Sequence, residues 1–143
     1  MRENGGITEF VIAGGEDKRL DVTFTQKDIR EVQLAKGAIR TGIQVLLDEN
    51  GLDEQEIDEI IIAGAFGTYI DVESAIAIGM LPKLPVERFR QVGNAAGMGA
   101  RMALVSRGKR LEAQEIARSV SYIELASVPH FARVFAKSIN LGQ

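Results

Sequence analysis

The chain has 143 residues, 45% of them apolar, with 17 Lys plus Arg against 20 Asp plus Glu, a composition typical of one soluble globular domain. With no cysteine and one histidine, it has no disulfide, thiolate metal site, iron–sulfur ligand set or cysteine nucleophile of its own. The net charge of −3 argues against a basic nucleic-acid surface, and no apolar run approaches the roughly 18 residues that cross a membrane.

The N-terminal part of the sequence predicts a β-hairpin. Residues 8–13 and 20–25 have the composition of strands, and apolar and polar side chains alternate in the second of them. The intervening residues 14–17, Gly-Gly-Glu-Asp, are typical of a turn.

A long helix is predicted next. Thr25 and Asp28 have the spacing of a capping box, and apolar residues then recur at helical spacing. Gly51 can adopt the left-handed conformation that ends a helix, so we expect about 24 helical residues.

The middle of the chain predicts a strand, a glycine turn and a helix. Residues 59–63 are rich in β-branched side chains and are typical of a strand buried on both faces. Glycines at 64 and 67 interrupt the run, and Asp71 can cap a helix over residues 72–80 that Pro82 and Pro85 stop.

The C-terminal part predicts two further strands and three helices. A strand over 89–92 leads into a helix over 95–107, whose small residues permit close packing. We expect Gly108 to interrupt the pattern before another helix, 122–125 to form a last strand, and Ser127 to cap a terminal helix. Strands alternating with helices indicate an α/β fold, a mixed sheet with helices packed on it.

Two glycine-bearing strand-to-helix junctions are the candidate ligand sites, because glycine leaves backbone N–H groups accessible there. They are residues 63–67 and 92–99, and neither matches a P-loop or a dinucleotide fingerprint. A tight turn explains the glycines at 64 and 67 equally well, and close helix packing is the simpler explanation of those at 97 and 99. Lys36, beside an apolar stripe, either extends to water or bonds a ligand oxygen in a cleft.

No catalytic or metal-binding constellation is predicted. The acidic residues 53–59 are typical of a solvated surface, and His130 has no partner at helical spacing.

Three segments in one order carry a resemblance: residues 24–39, 61–68 and 92–100. Together they resemble the C-terminal domain of the reductive activators of corrinoid proteins, a branch of the actin, sugar-kinase and heat-shock-chaperone ATPase superfamily. The resemblance extends from about residue 10 to 141. It implies a ribonuclease H-like half-domain, residues 1–143 being the C-terminal half of an actin-like ATPase domain in a larger protein.

The resemblance also implies a function. Activators of this family use ATP to return oxidised Co(II) corrinoid proteins to Co(I) in the cytoplasm. ATP and Mg would be held together with the missing half, and an iron–sulfur cluster would lie only in an absent N-terminal domain. The implied partners are a corrinoid protein or corrinoid-dependent methyltransferase and a second copy in a homodimer, with no nucleic acid and no membrane.

The same resemblance assigns nucleotide-binding residues. The first segment supplies two side chains, one helical turn apart, that would contact the ribose and the edge of the adenine. At the position of Gln33, the chaperone branch has an acidic residue instead. The two glycine-bearing strand-to-helix junctions supply the other nucleotide-binding residues. The implied residues are Gln33, Lys36, Gly64, Ala65, Phe66, Gly67, Gly93, Asn94 and Gly97.

Two alternatives stay open. The domain could be a protein-interaction or dimerisation module that docks the corrinoid partner through Leu81, Leu84 and Phe89. It could also belong to an activator of an acyl-CoA dehydratase or to a hydantoinase-type subunit.

Overall fold

A computed structural model describes residues 1–15 and 21–142 of the chain. Its strands are β1 (Arg2–Asn4), β2 (Ile7–Ala13), β3 (Val22–Thr25), β4 (Ile60–Ala63) and β5 (Phe89–Gly93). Its helices are α1 (Gln26–Asn50), α2 (Phe66–Tyr69), α3 (Val72–Ala77), α4 (Ala95–Val105), α5 (Arg107–Ser119) and α6 (Phe131–Ser138). Short 3-10 turns cover Glu54–Glu56, Val86–Arg88 and Leu125–Ser127. The α/β class predicted from the sequence is confirmed.

The described strands form two sheets. β1, β2 and β3 are antiparallel neighbours in that order, and β4 pairs with β5 in parallel. The predicted pairing of the first two long strands is confirmed by the register Phe10 to Phe24. The end of the predicted turn, residues 16 and 17, and the start of the second predicted strand at Leu20 lie outside the described residues.

In the three-stranded sheet, the buried residue of β2 is a charged one. Glu9 is buried and accepts a hydrogen bond from Arg2 at 2.5 Å, whereas Phe10 and the bulge-associated Ile12 are 57% and 59% exposed. The ion pair satisfies the buried carboxylate, which would otherwise be costly to remove from water. Large apolar side chains of β2, Phe10 and Ile12, are therefore uncovered within the described part of the chain.

Helix α1 begins and ends at the residues that the sequence indicates. The Thr25 hydroxyl accepts a hydrogen bond from the Asp28 N–H at 3.2 Å, and the Asp28 carboxylate accepts one from the Thr25 N–H at 2.8 Å. The hydrogen bonds from Thr25 hold the pKa of Asp28 below its ordinary value. Gly51, with φ of 63°, ends the helix and donates to Asp48.

The main core lies between α1 and α6. Val45 and Leu47 of α1 are buried, and Phe131 and Phe135 of α6 stack with ring centroids 5.9 Å apart. A smaller core consists of Ala75 in α3 and of Leu81 and Leu84 in the segment after this helix, all of which are buried.

Burial of Leu81 and Leu84 contradicts the predicted docking surface at the Pro82/Pro85 loop. Their side chains form the smaller core instead of facing a partner, and Phe89 is half-buried in β5.

Three local predictions near the C-terminus are wrong. Residues 122–125 form no strand: Tyr122 is 83% exposed, and a strand needs a neighbour for its backbone hydrogen bonds. Gly108 does not interrupt a helix, because Ser106 caps α5 one residue before it begins and Gly108 lies in its first turn. Ser127 does not cap α6, because its hydroxyl donates to the Glu124 carbonyl and His130 is the cap residue.

Strand β4 is not buried on both faces, since Ile61 is 53% exposed. Only β5 pairs with it among the described residues, and a two-stranded sheet cannot cover both of its faces. Helix α3 ends at Ala77, three residues before the predicted end, and β1 and α2 were not predicted. No helix in residues 1–15 or 21–142 has the length and apolar character needed to span a bilayer.

Replacing Thr25 tests the start of α1. Thr25→Ala removes the hydroxyl that accepts from the Asp28 N–H, and we expect a loss of about 1 kcal/mol in the free energy of unfolding. Urea unfolding measures it. Gln26→Ala, at the first helical residue, is the control and should change little; equal losses in both variants would contradict the capping role.

Candidate functional site

The carboxyl ends of β4 and β5 meet at a junction built from glycine. Ala63 pairs with Gly93, and the Gly64 N–H donates to the Gly93 carbonyl at 2.5 Å. Gly64 and Gly93 have φ of 77° and 56°, in the left-handed region that glycine adopts without steric cost. We call Gly64, Gly67 and Gly93 the glycine junction.

Gly67 allows α2 to press against the ends of the strands. It is buried, and a Cβ there would overlap the Ile62 carbonyl oxygen and lie 3.1 Å from the Gly93 nitrogen. A Cβ at Gly64 would meet no atom within 4 Å, so open space borders the junction on that side. The two glycines thus have different roles, close packing at Gly67 and a turn at Gly64.

Asn94 and Gly97 begin the helix that follows β5. The Asn94 side-chain oxygen accepts from the Gly97 N–H at 2.9 Å, and a Cβ on Gly97 would lie 2.5 Å from the Asn94 side chain. This is N-capping, so both residues have a structural role in this conformation. Ala65 is exposed, and its carbonyl accepts from the Thr68 and Tyr69 N–H groups; Phe66 is the first residue of α2.

Lys36 lies beneath the C-terminal segment rather than at a water-filled cleft. Its side chain is 0% exposed, and its ammonium group donates to the Asn140 carbonyl. Gly37 makes the approach possible, because a Cβ there would lie 2.8 Å from the Ile139 side chain. Burial, and secondarily the charge of Arg40, lowers the pKa of Lys36.

Gln33, one turn before Lys36, is half-buried, and its side chain makes no hydrogen bond within residues 1–15 and 21–142. The structure therefore brings together the glycines at the ends of β4 and β5. No hydrogen bond between described residues links that junction to Gln33 or Lys36.

Other residues connect α1 to the α3 region. Arg40 pairs with Glu54, and the other carboxylate oxygen of Glu54 accepts from the Lys83 N–H at 2.8 Å. Near the C-terminus, the Gly142 N–H donates to the Ile78 carbonyl at 3.3 Å. The acidic run 53–59 predicts a solvated position for Glu54, and the sequence pattern does not indicate this connection. Arg40, one turn after Lys36, is the residue from which an ion pair with the acidic run could have been predicted. The Asn140 carbonyl is a backbone group, so no residue type in the sequence indicates its bond to Lys36.

The glycine junction offers backbone groups and space rather than reactive side chains. Ligands of open α/β sheets bind outside the carboxyl ends of the strands, where this junction lies. Among the described residues, His, Asp and Glu form no cluster with the geometry to hold a metal ion. The junction thus leaves the backbone at Gly64 accessible to a ligand.

Comparison with known proteins identifies similar chains. The family described as the C-terminal domain of RACo, the ASKHA domain, matches residues 1–143. The corrinoid activation enzyme RamQ of Eubacterium limosum is 42% identical over 99% of this chain and 25% of its own length. The [Co(II) methylated amine-specific corrinoid protein] reductase of Methanosarcina barkeri is 29% identical over 70% of this chain and 18% of its own length.

A solved structure, the reductive activator for corrinoid, iron–sulfur protein, superposes with a TM-score of 0.85 and 38% identity over 99% of this chain and 23% of its own. The chain thus spans about a quarter of the length of the first curated relative and of this structure.

Gly67→Ala tests the close contact at the glycine junction. Because the added methyl group overlaps the Ile62 carbonyl, we expect a loss of about 1–3 kcal/mol in the free energy of unfolding. Gly99→Ala is the matched control: its Cβ meets no atom within 4 Å, and replacing a glycine inside a helix should stabilise by roughly 0.5–1 kcal/mol. A Gly67→Ala protein as stable as the wild type would exclude the close packing.

The lowered pKa of Lys36 predicts an alkaline gain in stability. The folded state disfavours the charged amine, so the free energy of unfolding should rise as pH increases from the lowered pKa towards the ordinary value of 10.5. Lys36→Met should remove this rise, whereas Lys27→Met, at an exposed lysine of the same helix, should keep it. Denaturant unfolding between neutral and alkaline pH measures both, and identical profiles for the two variants would refute the burial of the amine.

Proposed function

Since the chain belongs to the family of RACo C-terminal ASKHA domains, with the actin-like ATPase fold, we propose that it is the adenosine-binding half of an ATP-dependent activator. In this proposal, the complete protein returns oxidised Co(II) corrinoid proteins to Co(I). The similar proteins, a corrinoid activation enzyme and a Co(II) corrinoid protein reductase, support that reaction over the dehydratase and hydantoinase alternatives.

The glycine junction is the observation that carries the nucleotide proposal. Gly64 is in a left-handed turn with open space where a side chain would be, and it lies at the carboxyl ends of two parallel strands. A nucleoside can approach the backbone closely only where no Cβ projects. We assign the adenosine contacts to Gly64, Ala65, Phe66 and Gly67, with Gly93, Asn94 and Gly97 shaping the adjoining wall.

Gln33 and Lys36 are proposed as the second wall. The Gln33 side chain has no hydrogen-bonding partner among the described residues, so its amide is available to a ribose hydroxyl. Lys36 would reach the ligand only by exchanging the Asn140 carbonyl for a ligand oxygen. Gln33 is therefore the more accessible contact in this conformation.

The remaining machinery is assigned to other parts of a longer protein. No residue of this chain is proposed as catalytic, and the phosphates with Mg would be gripped by the other half of the ATPase domain. ATP, when bound, would supply the energy for closure of the two halves, as in other enzymes that close around their ligand. The proposal includes an iron–sulfur cluster in a separate domain, a homodimer, a cytoplasmic location, and a corrinoid protein or corrinoid-dependent methyltransferase as partner.

Calorimetric titration of the full-length protein with a non-hydrolysable ATP analogue tests the site. Gly64→Val forces a β-branched residue into a left-handed turn, and we expect about tenfold weaker binding. Lys36→Ala should weaken binding by a smaller factor of roughly 2–10, the loss of one hydrogen bond.

Gly99→Ala, outside the junction, should leave the affinity unchanged. Unaltered affinity in both Gly64→Val and Lys36→Ala would contradict the site assignment. A loss in Gly64→Val alone would restrict the site to the glycine junction.

A further inference from the structure

The last described residues cross the middle of α1. The Asn140 carbonyl accepts a hydrogen bond from the Lys36 ammonium group, and the Gly142 N–H donates to the Ile78 carbonyl at 3.3 Å. Residues 139–142, called here the C-terminal strap, thus connect α1 with the residue that follows α3. Three of the four strap residues are exposed, so a single stretch of chain separates the lysine from solvent on this side.

A glycine in α1 permits this close approach. A Cβ on Gly37 would lie 2.8 Å from the Ile139 side chain and 3.3 Å from the Ile139 backbone nitrogen. Any larger residue at this position would push the strap away from the helix. Since glycine inside a helix is less stable than alanine, the sequence gives up helix stability at the place where the strap crosses.

The strap satisfies the buried lysine only in part. An ammonium group has three N–H donors, and within residues 1–15 and 21–142 Lys36 makes one hydrogen bond, to a neutral carbonyl. The side chain is 0% exposed, and burial lowers its pKa, so the charged form is disfavoured beneath the strap. A phosphate oxygen would be a stronger acceptor than the Asn140 carbonyl, and a ribose hydroxyl would be an equivalent one.

The strap can open without loss of the main core. Helix α6 is held on α1 by apolar packing around Val45, Phe131 and Phe135. Beyond α6, the described residues anchor the strap to other elements through the hydrogen bonds of Lys36 and Gly142 alone. Segments with little buried apolar surface and an exposed backbone open at low free energy. Opening therefore leaves α6 in place.

We propose that the C-terminal strap is an autoinhibitory element that competes with nucleotide for Lys36. The inference rests on the proposed function, in which Lys36 contacts the nucleotide. While the strap is closed, the ammonium group is bonded to Asn140 and shielded from solvent. Nucleotide then binds the open state more tightly, and the wild-type affinity is lowered according to the fraction of molecules that are open.

Two substitutions open the strap by independent routes. Gly37→Ala places a methyl group against Ile139. Gly142→Pro removes the strap's terminal N–H donor and is incompatible with the φ of 77° at this residue. Gly42→Ala is the matched control in α1, because a Cβ there would meet a neighbouring side chain at 3.8 Å, an ordinary van der Waals distance.

Chemical labelling of Lys36 in the full-length protein tests the strap without nucleotide. Acetylation by acetic anhydride, mapped by peptide mass spectrometry, reports whether the amine reaches solvent, and the exposed Lys27 is the internal reference. We expect about tenfold faster labelling of Lys36 in Gly37→Ala and Gly142→Pro than in the wild type or Gly42→Ala. Unchanged labelling in both opened variants overturns the proposal, because the strap would then not be what shields the amine.

Calorimetric titration of the same proteins with a non-hydrolysable ATP analogue tests the competition. Both opened variants should bind about three- to tenfold more tightly than the wild type, and Gly42→Ala should bind equally. The gain should vanish when Lys36→Ala is combined with either opening substitution, because the strap then has no lysine to compete for. A gain that persists without the lysine overturns the proposal, since it would reflect a general loosening.

The two measurements separate the strap from the proposed function. Faster labelling with unchanged or weaker nucleotide affinity overturns the strap proposal and leaves the proposed function in place. Absence of nucleotide binding in every protein, the wild type included, contradicts the proposed function, and the strap proposal fails with it.

Discussion

A backbone hydrogen bond from the Gly64 N–H to the Gly93 carbonyl joins the ends of β4 and β5, and the candidate site depends on it. Both residues are in left-handed conformations, and Gly67 lies so close to the Ile62 carbonyl that no side chain fits between them. The same lack of side chains that lets the strands and α2 converge leaves backbone accessible on the open side of Gly64. The packing of these elements and the access of a ligand therefore both require glycine at this place.

Features set by neighbouring residues were predictable from the sequence. The capping box at Thr25 and Asp28, the stop at Gly51 and the cap at Asp71 are all present, because each needs only atoms within a few residues. The prediction of a strand at residues 122–125 was wrong because a strand requires a partner elsewhere in the chain. The environment of Lys36 could not be predicted for the same reason, since its hydrogen-bond acceptor is a backbone carbonyl 104 residues away.

Large apolar side chains are exposed in two parts of the fold, the three-stranded sheet and helix α4. The three-stranded sheet buries Glu9 and exposes Phe10, and the end of helix α4 exposes Leu104 and Val105. These apolar surfaces would be unfavourable in water if they stayed uncovered. They support the proposal that the chain works within a longer protein and beside a partner.

The bond between Lys36 and Asn140 has a consequence for biosynthesis. A ribosome makes α1 long before it makes the acceptor that shields the buried amine, because the two residues are separated by 104 positions. Until α6 emerges, the surface of α1 that it will cover stays exposed to water, and the ammonium group of Lys36 stays hydrated. At the elongation rates typical of cells, about 5–20 residues per second, this interval lasts from roughly five to twenty seconds. Chaperones and proteases can engage the nascent chain throughout that time.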